Sequence, residues 1–380
     1  MKKVKIAFII SNLSQGGAER QFSYLINQLD ISRYEITLFL YASQKAPFYK
    51  DVENNEKIIL FKKYLKSRFS ILKIFEAILG IRSFLVKNQY DIVVTTLFMN
   101  NFLVRLSAPK SYKNKIICNV RTSIKMYTKF HVLCERCQIK NSVLVFNSHK
   151  TKNEFVRLFK GNYLNKMFIV YNGFIGTDNF YVNNSKYTFG CLGRLSKEKN
   201  LLQVIEVFSE SRQLNLDSNL IIQGHFGNQY EEIVALGSIE NVEIREANPD
   251  VEIFFSSINT LVLPSLFEGC PNVLFEALLR KKLCIVSKNA NTDDFIVDGL
   301  NGFVYDGTDK GLQAAMYNAA IISGTPTEKL IIENGYNYAQ KNFSMPVMVD
   351  KYEELFKMIY EDDKSCNKPK NYTTLQTACF

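Results

Sequence analysis

The chain has 380 residues, a formal net charge of +10, and a composition that is 47% hydrophobic. This length is enough for two domains of ordinary size, and the composition excludes global disorder. The apolar runs are too short for a membrane-spanning helix, so we expect none, and the eight cysteines lack the spacing of a disulfide framework. The opening run "VKIAFII" therefore predicts a first β-strand rather than a signal peptide.

The positive charge is concentrated in the N-terminal half of the chain. Between residues 57 and 129 there are fifteen lysines and arginines but only two acidic residues, Glu76 and Asp91. Such an excess predicts an anionic partner, which could be nucleic acid, anionic lipid or a phosphorylated substrate. A solvated lysine-rich surface is the alternative. Because no nucleic-acid-binding signature is present, we do not expect a nucleic acid partner.

The first half of the chain alternates apolar β-type runs with helical patterns. The predicted strands are "VKIAFII", "EITLFLY", "KIILF", "DIVVTT", "KIICNV" and "VLVFN". The predicted helices lie near Glu19–Leu29, Ser70–Lys87 and Lys150–Leu158. This alternation is typical of a parallel sheet that is covered by helices on both faces.

A second series of the same kind follows a polar stretch at residues 173–186. Its predicted strands are "TFGCLG", "NLIIQG", "VEIRE", "TLVLPS" and "LCIVS", and its predicted helices lie near Asn200–Arg212, Tyr230–Leu236, Val273–Leu279 and Asp293–Val297. We therefore predict an α/β protein of two Rossmann-like, doubly wound domains, residues 1–172 and 173–345, which face each other across a cleft. A helix at 346–361 and a loose tail at 362–380 follow.

Ligands of doubly wound sheets bind beyond the carboxyl ends of the strands, which selects particular loops. In "GCLGRLSKEKN", Arg194 follows a strand and Lys199 comes five residues later, so the two cations predict a phosphate site. In "SNLSQGGAER", Gly16 and Gly17 begin a helix and let backbone N–H groups approach an anion or a sugar hydroxyl. Either motif alone is weak evidence.

The stretch "LPSLFEGCPNVLFEAL" places two carboxylates eight residues apart. Glu276 lies on a helix, where its two oxygens can accept from both hydroxyls of a ribose, and Glu268 lies in the preceding loop, where it can accept from a sugar hydroxyl. Backbone N–H groups around Pro271 can donate to hydroxyls or phosphate: those of Gly269, Cys270, Asn272 and Val273. Pro271 itself fits the first turn of a helix. A ligand that presents a ribose, a phosphate and a sugar to this segment is a nucleotide sugar.

These motifs, with "FNSHKTKNEF", "VYNG" and "DDFIVDGLNGFV", resemble glycosyltransferase family 4 in order along nearly the whole chain. The resemblance implies a retaining transferase with the GT-B fold, in which Glu268 contacts the transferred sugar and Glu276 holds the ribose. Arg194 and Lys199 would neutralise the diphosphate, while Gly16 and Gly17 would lie near the donor. It also implies that the last helix, near Val347–Ile359, crosses back to the N-terminal domain.

The chain departs from the family where many members carry an N-terminal-domain histidine. The matching loop, "ICNVRTSIKMY", has Arg121 and Thr122 instead, and with Asn100 these residues are our candidates for the acceptor side. We expect no metal, because Arg194 and Lys199 supply the positive charge. A nucleotide-sugar epimerase on the same fold and a non-enzymatic basic membrane-binding module remain alternatives.

The expected activity is transfer of a hexose or N-acetylhexosamine from a nucleotide-diphosphate sugar, with uridine favoured by the resemblance. The resemblance also implies that the acceptor is a growing surface glycan carried on a polyprenyl diphosphate. Because the N-terminal half is basic, we expect the protein to be cytoplasmic and peripheral to the anionic inner face of a bacterial cytoplasmic membrane.

Overall fold

The computed structural model describes residues 2–13, 16–42, 52, 55, 58–62, 70–121, 127–159, 166–176, 186–211, 214, 217–248 and 250–364. The chain forms two compact units. The N-terminal unit is Met1–Gly173 together with Pro346–Phe380, and the C-terminal unit is Phe174–Met345. The divisions after Gly173 and Met345 lie within one residue of those expected from the sequence. The last helix is part of the N-terminal unit.

The N-terminal unit contains a sheet of seven strands. They are β1 (Val4–Ile10), β2 (Tyr34–Leu40), β3 (Ile58–Lys62), β4 (Ile92–Thr96), β5 (Ile116–Val120), β6 (Val143–Phe146) and β7 (Met167–Ile169). They run parallel in the order β3-β2-β1-β4-β5-β6-β7. The apolar runs of the sequence become strands because both faces are covered, and Ile6 to Ile10 are completely buried.

Helices connect these strands and cover the sheet. They are α1 (Gly17–Gln28), α2 (Ser70–Asn88), α3 (Phe98–Ser107), α4 (Lys129–Gln138) and α5 (His149–Phe159), with α12 (Met345–Lys364) at the end of the chain. Helix α12 belongs to this unit because its apolar side packs here. Tyr352 and Phe356 are fully buried, and the ring of Phe356 lies 5.8 Å from that of Tyr34 on β2.

The C-terminal unit contains a second parallel sheet, in the order β10-β9-β8-β11-β12-β13. Its strands are β8 (Tyr187–Leu192), β9 (Ser218–Gly224), β10 (Val242–Glu246), β11 (Thr260–Leu263), β12 (Leu283–Ser287) and β13 (Phe303–Tyr305). Its helices are α6 (Leu201–Glu210), α7 (Tyr230–Ala235), α8 (Val251–Ser256), α9 (Asn272–Leu278), α10 (Asp309–Ile321) and α11 (Pro326–Phe343). The prediction of two doubly wound parallel-sheet domains is thus confirmed.

Some local predictions fail. The helix expected at Asp293–Val297 is wrong, because only a short 3-10 turn forms there, Thr292–Asp294, and Asp293 and Asp294 have left-handed φ angles of 53° and 52°. The short strands β7 and β13 were not predicted. Three residues carry too little of the period-2 pattern to separate a strand from a loop.

Candidate active site

The loop after β8 places Arg194 and Lys199 at the carboxyl end of the second sheet. Lys199 ends a 3-10 turn, Lys197–Lys199, and Asn200 then takes a left-handed conformation, φ 52°, before α6 begins. This sharp reversal separates Lys199 from the helix axis, so its side chain can reach the loop after β11. The sequence predicted Arg194 just after a strand and Lys199 at the start of the next helix; Arg194 lies in the loop after β8, and Lys199 lies two residues before α6.

Lys199 and Glu268 meet directly in this unit. The Lys199 Nζ lies 2.6 Å from Glu268 Oε1, and the Ser265 hydroxyl donates to the same oxygen at 2.7 Å. Both side chains keep some contact with solvent, with 24% of Lys199 and 12% of Glu268 exposed. The pair is therefore oriented by two charge-assisted bonds yet remains open to a ligand.

Backbone contacts fix the loop that carries Glu268. The Thr292 hydroxyl donates to the Glu268 carbonyl at 3.0 Å, and the Leu266 N–H donates to the Glu198 carbonyl at 2.9 Å. The Ser287 hydroxyl donates to the Ser265 carbonyl at 2.7 Å. The loops after β8, β11 and β12 thus form one connected structure, whose contacts span up to 69 residues of sequence.

Arg194 is held more loosely than Lys199. Its guanidinium lies 3.7 Å from Glu198, and 66% of its side chain is exposed, so it can turn toward an anion at small cost. Burial tends to raise the pKa of the Glu198 carboxyl, but the Ser196 hydrogen bond and the nearby Arg194 and Lys199 outweigh it and lower the pKa. The acid is thus held in its charged form beside both cations.

Glu276 lies on α9, and only 5% of the residue is exposed. The C-terminal end of α9 is clamped, because Arg280 donates to the Glu276 backbone carbonyl at 3.0 Å and pairs with Glu252 on α8. Glu276 is therefore carried by a helix with little freedom to shift. Glu268, by contrast, lies in the loop before α9.

The segment between the two glutamates forms the start of α9. Pro271 is buried at the N-cap, and Gly269, Cys270 and Val273 are partly exposed. The Asn272 N–H donates to the Cys270 carbonyl at 3.0 Å, so in this structure that N–H is turned into the loop. A ligand that accepts a hydrogen bond from the Asn272 N–H would have to displace this contact.

Two glycines that sequence reasoning missed hold the Arg194 loop in place. A Cβ on Gly224 would lie 1.8 Å from the Gly193 carbonyl oxygen, and a Cβ on Gly227 would lie 2.2 Å from the Leu195 carbonyl oxygen. The loops after β8 and β9 can therefore approach this closely only with glycine at both positions. The available signal was "QGHFG" directly after a predicted strand.

In the N-terminal unit, Gly16 is the N-cap of α1 and Gly17 its first residue. A Cβ on Gly16 would lie 2.0 Å from the carboxylate of Glu19, so that side chain would have to shift if another residue replaced the glycine. Asn100 is buried, accepting from the Ser11 N–H at 3.2 Å and from the Tyr41 hydroxyl and donating to the Thr96 carbonyl. Asn100 thus braces the loops at this edge, whereas Thr122 lies outside the described residues.

Arg121 follows β5 at the same edge of the sheet. Its guanidinium donates to Asn172, Asn119 and Tyr352, and so joins the ends of two strands to helix α12. Residue 352 is more than 230 positions away in sequence, so no local pattern could reveal its contribution.

Comparison with known sequences identifies the class of protein. Residues 15–174 match the family described as Glycosyltransferase Family 4, and residues 179–338 match the family described as Glycosyl transferases group 1. The chain therefore belongs to glycosyltransferase family 4, and it is a glycosyltransferase of polysaccharide biosynthesis.

Among its relatives is the amylovoran biosynthesis glycosyltransferase AmsD of Erwinia amylovora, 24% identical over 84% of this chain and 90% of the relative. The capsular polysaccharide biosynthesis glycosyltransferase CapM of Staphylococcus aureus is 21% identical over 48% of each chain. The fold is similar to that of a glycosyltransferase from Rickettsia africae, with a TM-score of 0.77, 18% identity, and coverage of 95% of this chain and all of that one.

The fold is also similar to that of Anabaena Alr3699/HepE, whose structure was solved in complex with UDP and glucose. The TM-score is 0.74 and the identity 16%, with coverage of 93% of this chain and all of that one. These similarities show that the fold is GT-B, as the sequence predicted.

Proposed function

We propose that this glycosyltransferase moves a hexose or N-acetylhexosamine from a UDP-sugar, with retention of configuration, to a lipid-linked surface glycan. The observation that carries the proposal is the arrangement of Lys199, Glu268 and Ser265 beside the helix that carries Glu276. Together with Arg194, these residues bring two cations and two carboxylates to one edge of one sheet. That is the set a nucleotide-diphosphate sugar requires.

In the proposed complex Glu276 accepts from the ribose hydroxyls, and Arg194 and Lys199 contact the diphosphate. Lys199 turns from Glu268 toward the phosphate, which releases the Glu268 carboxylate to accept from the transferred sugar. Charge grows on the leaving diphosphate as the glycosidic bond breaks, so the two cations stabilise the transition state more than the bound donor. The N–H groups of Gly269, Cys270, Asn272 and Val273, and the turn at Gly16 and Gly17, are proposed to complete the donor contacts.

Uridine is the proposed base because Alr3699/HepE, a structural neighbour, was solved both with UDP and with UDP-glucose. The assay incubates the protein with a panel of UDP- and GDP-sugars and a lipid-linked glycan acceptor. We expect transfer from a UDP-sugar and an anomeric configuration, read by NMR, that matches the donor. Release of free sugar or an epimerised nucleotide sugar without transfer would favour the epimerase alternative.

Metal independence is proposed on the chemistry of the phosphate site. Arg194 and Lys199 provide two positive charges where a metal-dependent transferase would place a divalent ion. Within the described ranges, no three His, Cys, Asp or Glu side chains form a group that could hold a metal ion. Activity should be unchanged after extensive treatment with EDTA, and complete loss that Mg²⁺ or Mn²⁺ restores would contradict the proposal.

The proposed acceptor side is the N-terminal unit, which carries an exposed surface suited to a membrane. Helix α3 packs against both α2 and α4. All three expose large apolar side chains: Leu72, Phe75 and Leu79 on α2, Met99 and Leu106 on α3, and Phe130 and Leu133 on α4. We name these seven residues the apolar helix face.

Exposed basic residues lie on two of the three helices that carry the apolar helix face, which favours an anionic lipid surface as its partner. Lys73, Arg82, Lys87, Lys129 and Arg136 are exposed on α2 and α4. Each such residue near an anionic leaflet contributes about 1 kcal/mol, so five support reversible attachment. Lys63 and Lys66, which belong to the basic part of the sequence between residues 57 and 129, lie outside the described residues. None of the helices in the described ranges has the length and apolarity to cross a membrane.

Liposome co-sedimentation tests the attachment. Binding should appear with anionic vesicles, weaken as salt is raised and fall in a Lys73→Glu/Arg82→Glu or Leu79→Ser variant. The matched control is Leu330→Ser, since Leu330 is equally exposed on a helix of the other unit. If the wild-type protein does not bind anionic vesicles at low salt, or if Leu330→Ser reduces binding as much, the membrane proposal fails.

A further inference from the structure

Among the described residues, the side chain of Arg121 is held at the carboxyl edge of the N-terminal sheet by neutral groups. It donates to the amide oxygen of Asn172, to that of Asn119 at 3.4 Å and to the Tyr352 hydroxyl at 2.9 Å. The Tyr352 hydroxyl in turn donates to Asn119, and Tyr352 is completely buried. The guanidinium is thus oriented by a network from three separate segments of the chain.

No described carboxylate neutralises this charge. Of the described residues, no Asp or Glu forms an ion pair with Arg121 within 4.0 Å. Arg105 in the same unit shows the usual arrangement, because its guanidinium makes two bonds to Glu135, at 2.9 and 2.6 Å. A partly buried arginine with only neutral partners bears a desolvation cost that an anionic ligand would offset.

The neighbouring strand ends carry buried polar groups as well. In the part of the chain that the structure describes, the Asn147 Oδ1 and the Thr96 Oγ1 are buried and have no hydrogen-bond partner. Asn147 follows β6 directly beside Arg121, because Val120 and Phe146 pair in register. Native proteins rarely leave such groups unsatisfied, and a ligand with hydroxyl groups beside its phosphate would supply the donor that the Asn147 Oδ1 needs.

We propose that Arg121, oriented by Asn119, Asn172 and Tyr352, binds a phosphate group of the acceptor. Phosphate is favoured because a guanidinium fork matches its oxygens and because β-strand ends of parallel sheets are where ligands bind. The proposal rests on the proposed function, and it makes the final helix α12 part of the acceptor site through Tyr352. Arg121 therefore selects acceptors that carry a phosphate or diphosphate.

The first experiment measures anion binding without any transfer reaction. In an Arg194→Ala/Lys199→Ala background, which removes the proposed donor phosphate site, we expect pyrophosphate to raise the thermal unfolding temperature in a salt-sensitive way. Adding Arg121→Gln should abolish this shift, whereas Arg157→Gln, an exposed arginine on α5, should leave it intact. A shift unaffected by Arg121→Gln, or no shift at all, would overturn the proposal. Because no donor is present, the outcome does not depend on the transferase assignment.

The second experiment separates binding from structure. Arg121→Gln should raise the KM for a phosphate-bearing acceptor by about tenfold or more, with the KM for the donor unchanged. The KM for the same glycan without phosphate should not change. Tyr352→Phe, which keeps the ring packing, should raise the phosphate-bearing acceptor's KM by a smaller factor, and Arg121→Lys should restore part of the loss.

Equal effects on acceptors with and without phosphate would show that Arg121 has a merely structural role. A phosphate effect seen equally with a polyprenyl diphosphate glycan and a soluble sugar phosphate would assign recognition to the phosphate itself, and not to the lipid.

Discussion

The carboxyl edges of the two sheets hold their cations in different ways. In the C-terminal unit, Lys199 lies against Glu268 and Arg194 lies near Glu198, so each cation has a carboxylate that a ligand can displace. In the N-terminal unit, Arg121 has three neutral partners and no described carboxylate. The two cations of the first edge are thus paired with carboxylates before a ligand binds, whereas Arg121 at the second edge has no acidic partner among the described residues.

This difference bears on what each edge can bind. A paired cation can exchange its partner for the diphosphate and release an acid to face the sugar, which suits a site where chemistry takes place. A cation fixed among neutral groups cannot release anything, so it suits recognition of a fixed charge on the acceptor. The comparison therefore predicts effects on turnover at one edge and on acceptor binding at the other.

The largest effect is expected at Lys199. Lys199→Ala should lower kcat by about a hundredfold or more, because a preorganised cation is lost where charge develops. Donor binding should weaken much less. The matched control is Lys197→Ala, since Lys197 is exposed in the same 3-10 turn. A raised KM at unchanged kcat would show that Lys199 does not stabilise the transition state more than the bound substrate.

Gly224→Ala should lower the free energy of unfolding by about 1–3 kcal/mol, the usual cost of overpacking. Its new Cβ would meet the Gly193 carbonyl, so the loop that carries Arg194 has to move and donor binding should weaken as well. Gly237→Ala is the control, because its Cβ would meet side-chain carbons of Ile244, at 3.3 and 3.8 Å, and no backbone atom among the nearest neighbours. Chemical denaturation measures the free energy of unfolding of the two variants and the wild type. Equal stability of the Gly224 variant and the wild type would contradict the close contact.

The two glutamates should separate in binding measurements. Glu276→Ala should weaken UDP and UDP-sugar alike by about tenfold, because it loses charge-assisted bonds to the ribose. Glu268→Ala should leave UDP binding near wild type and impair transfer. Glu206→Ala, on the exposed side of α6, serves as control. Equal losses of UDP binding in the Glu268 and Glu276 variants would defeat this division of roles.

A smaller effect is expected on thiol labelling. Cys270 lies partly exposed in the proposed donor loop and Cys137 is exposed on α4, whereas burial raises the pKa of Cys118 to about 11 and keeps it unreactive. UDP should slow alkylation of Cys270 a few-fold and leave Cys137 unchanged, as mapped by peptide mass spectrometry. Protection of Cys137 alone would place the nucleotide in the other unit.

The sequence predicted the two sheets, and it also indicated the residues that we propose for the donor side, because both rest on local patterns. Strand runs are contiguous, and Arg194 with Lys199 and Glu268 with Glu276 are separated by only a few residues. The contacts of Arg121 could not be predicted in this way. They join residues 119, 121, 172 and 352, which only the folded chain brings together.

Gly224 and Gly227 escaped prediction for a related reason, because what they avoid is a clash with the backbone of another loop. The 3-10 turn at Thr292–Asp294 was mistaken for a helix because the sequence does not show that Asp293 and Asp294 take left-handed conformations.

Isothermal titration with UDP on the wild type, Glu276→Ala and Arg121→Gln tests the central comparison most directly. We predict that UDP binds the wild type and Arg121→Gln with the same affinity, and that Glu276→Ala binds it about tenfold more weakly. Unchanged affinity in Glu276→Ala together with loss in Arg121→Gln would contradict the assignment of donor and acceptor to the two edges.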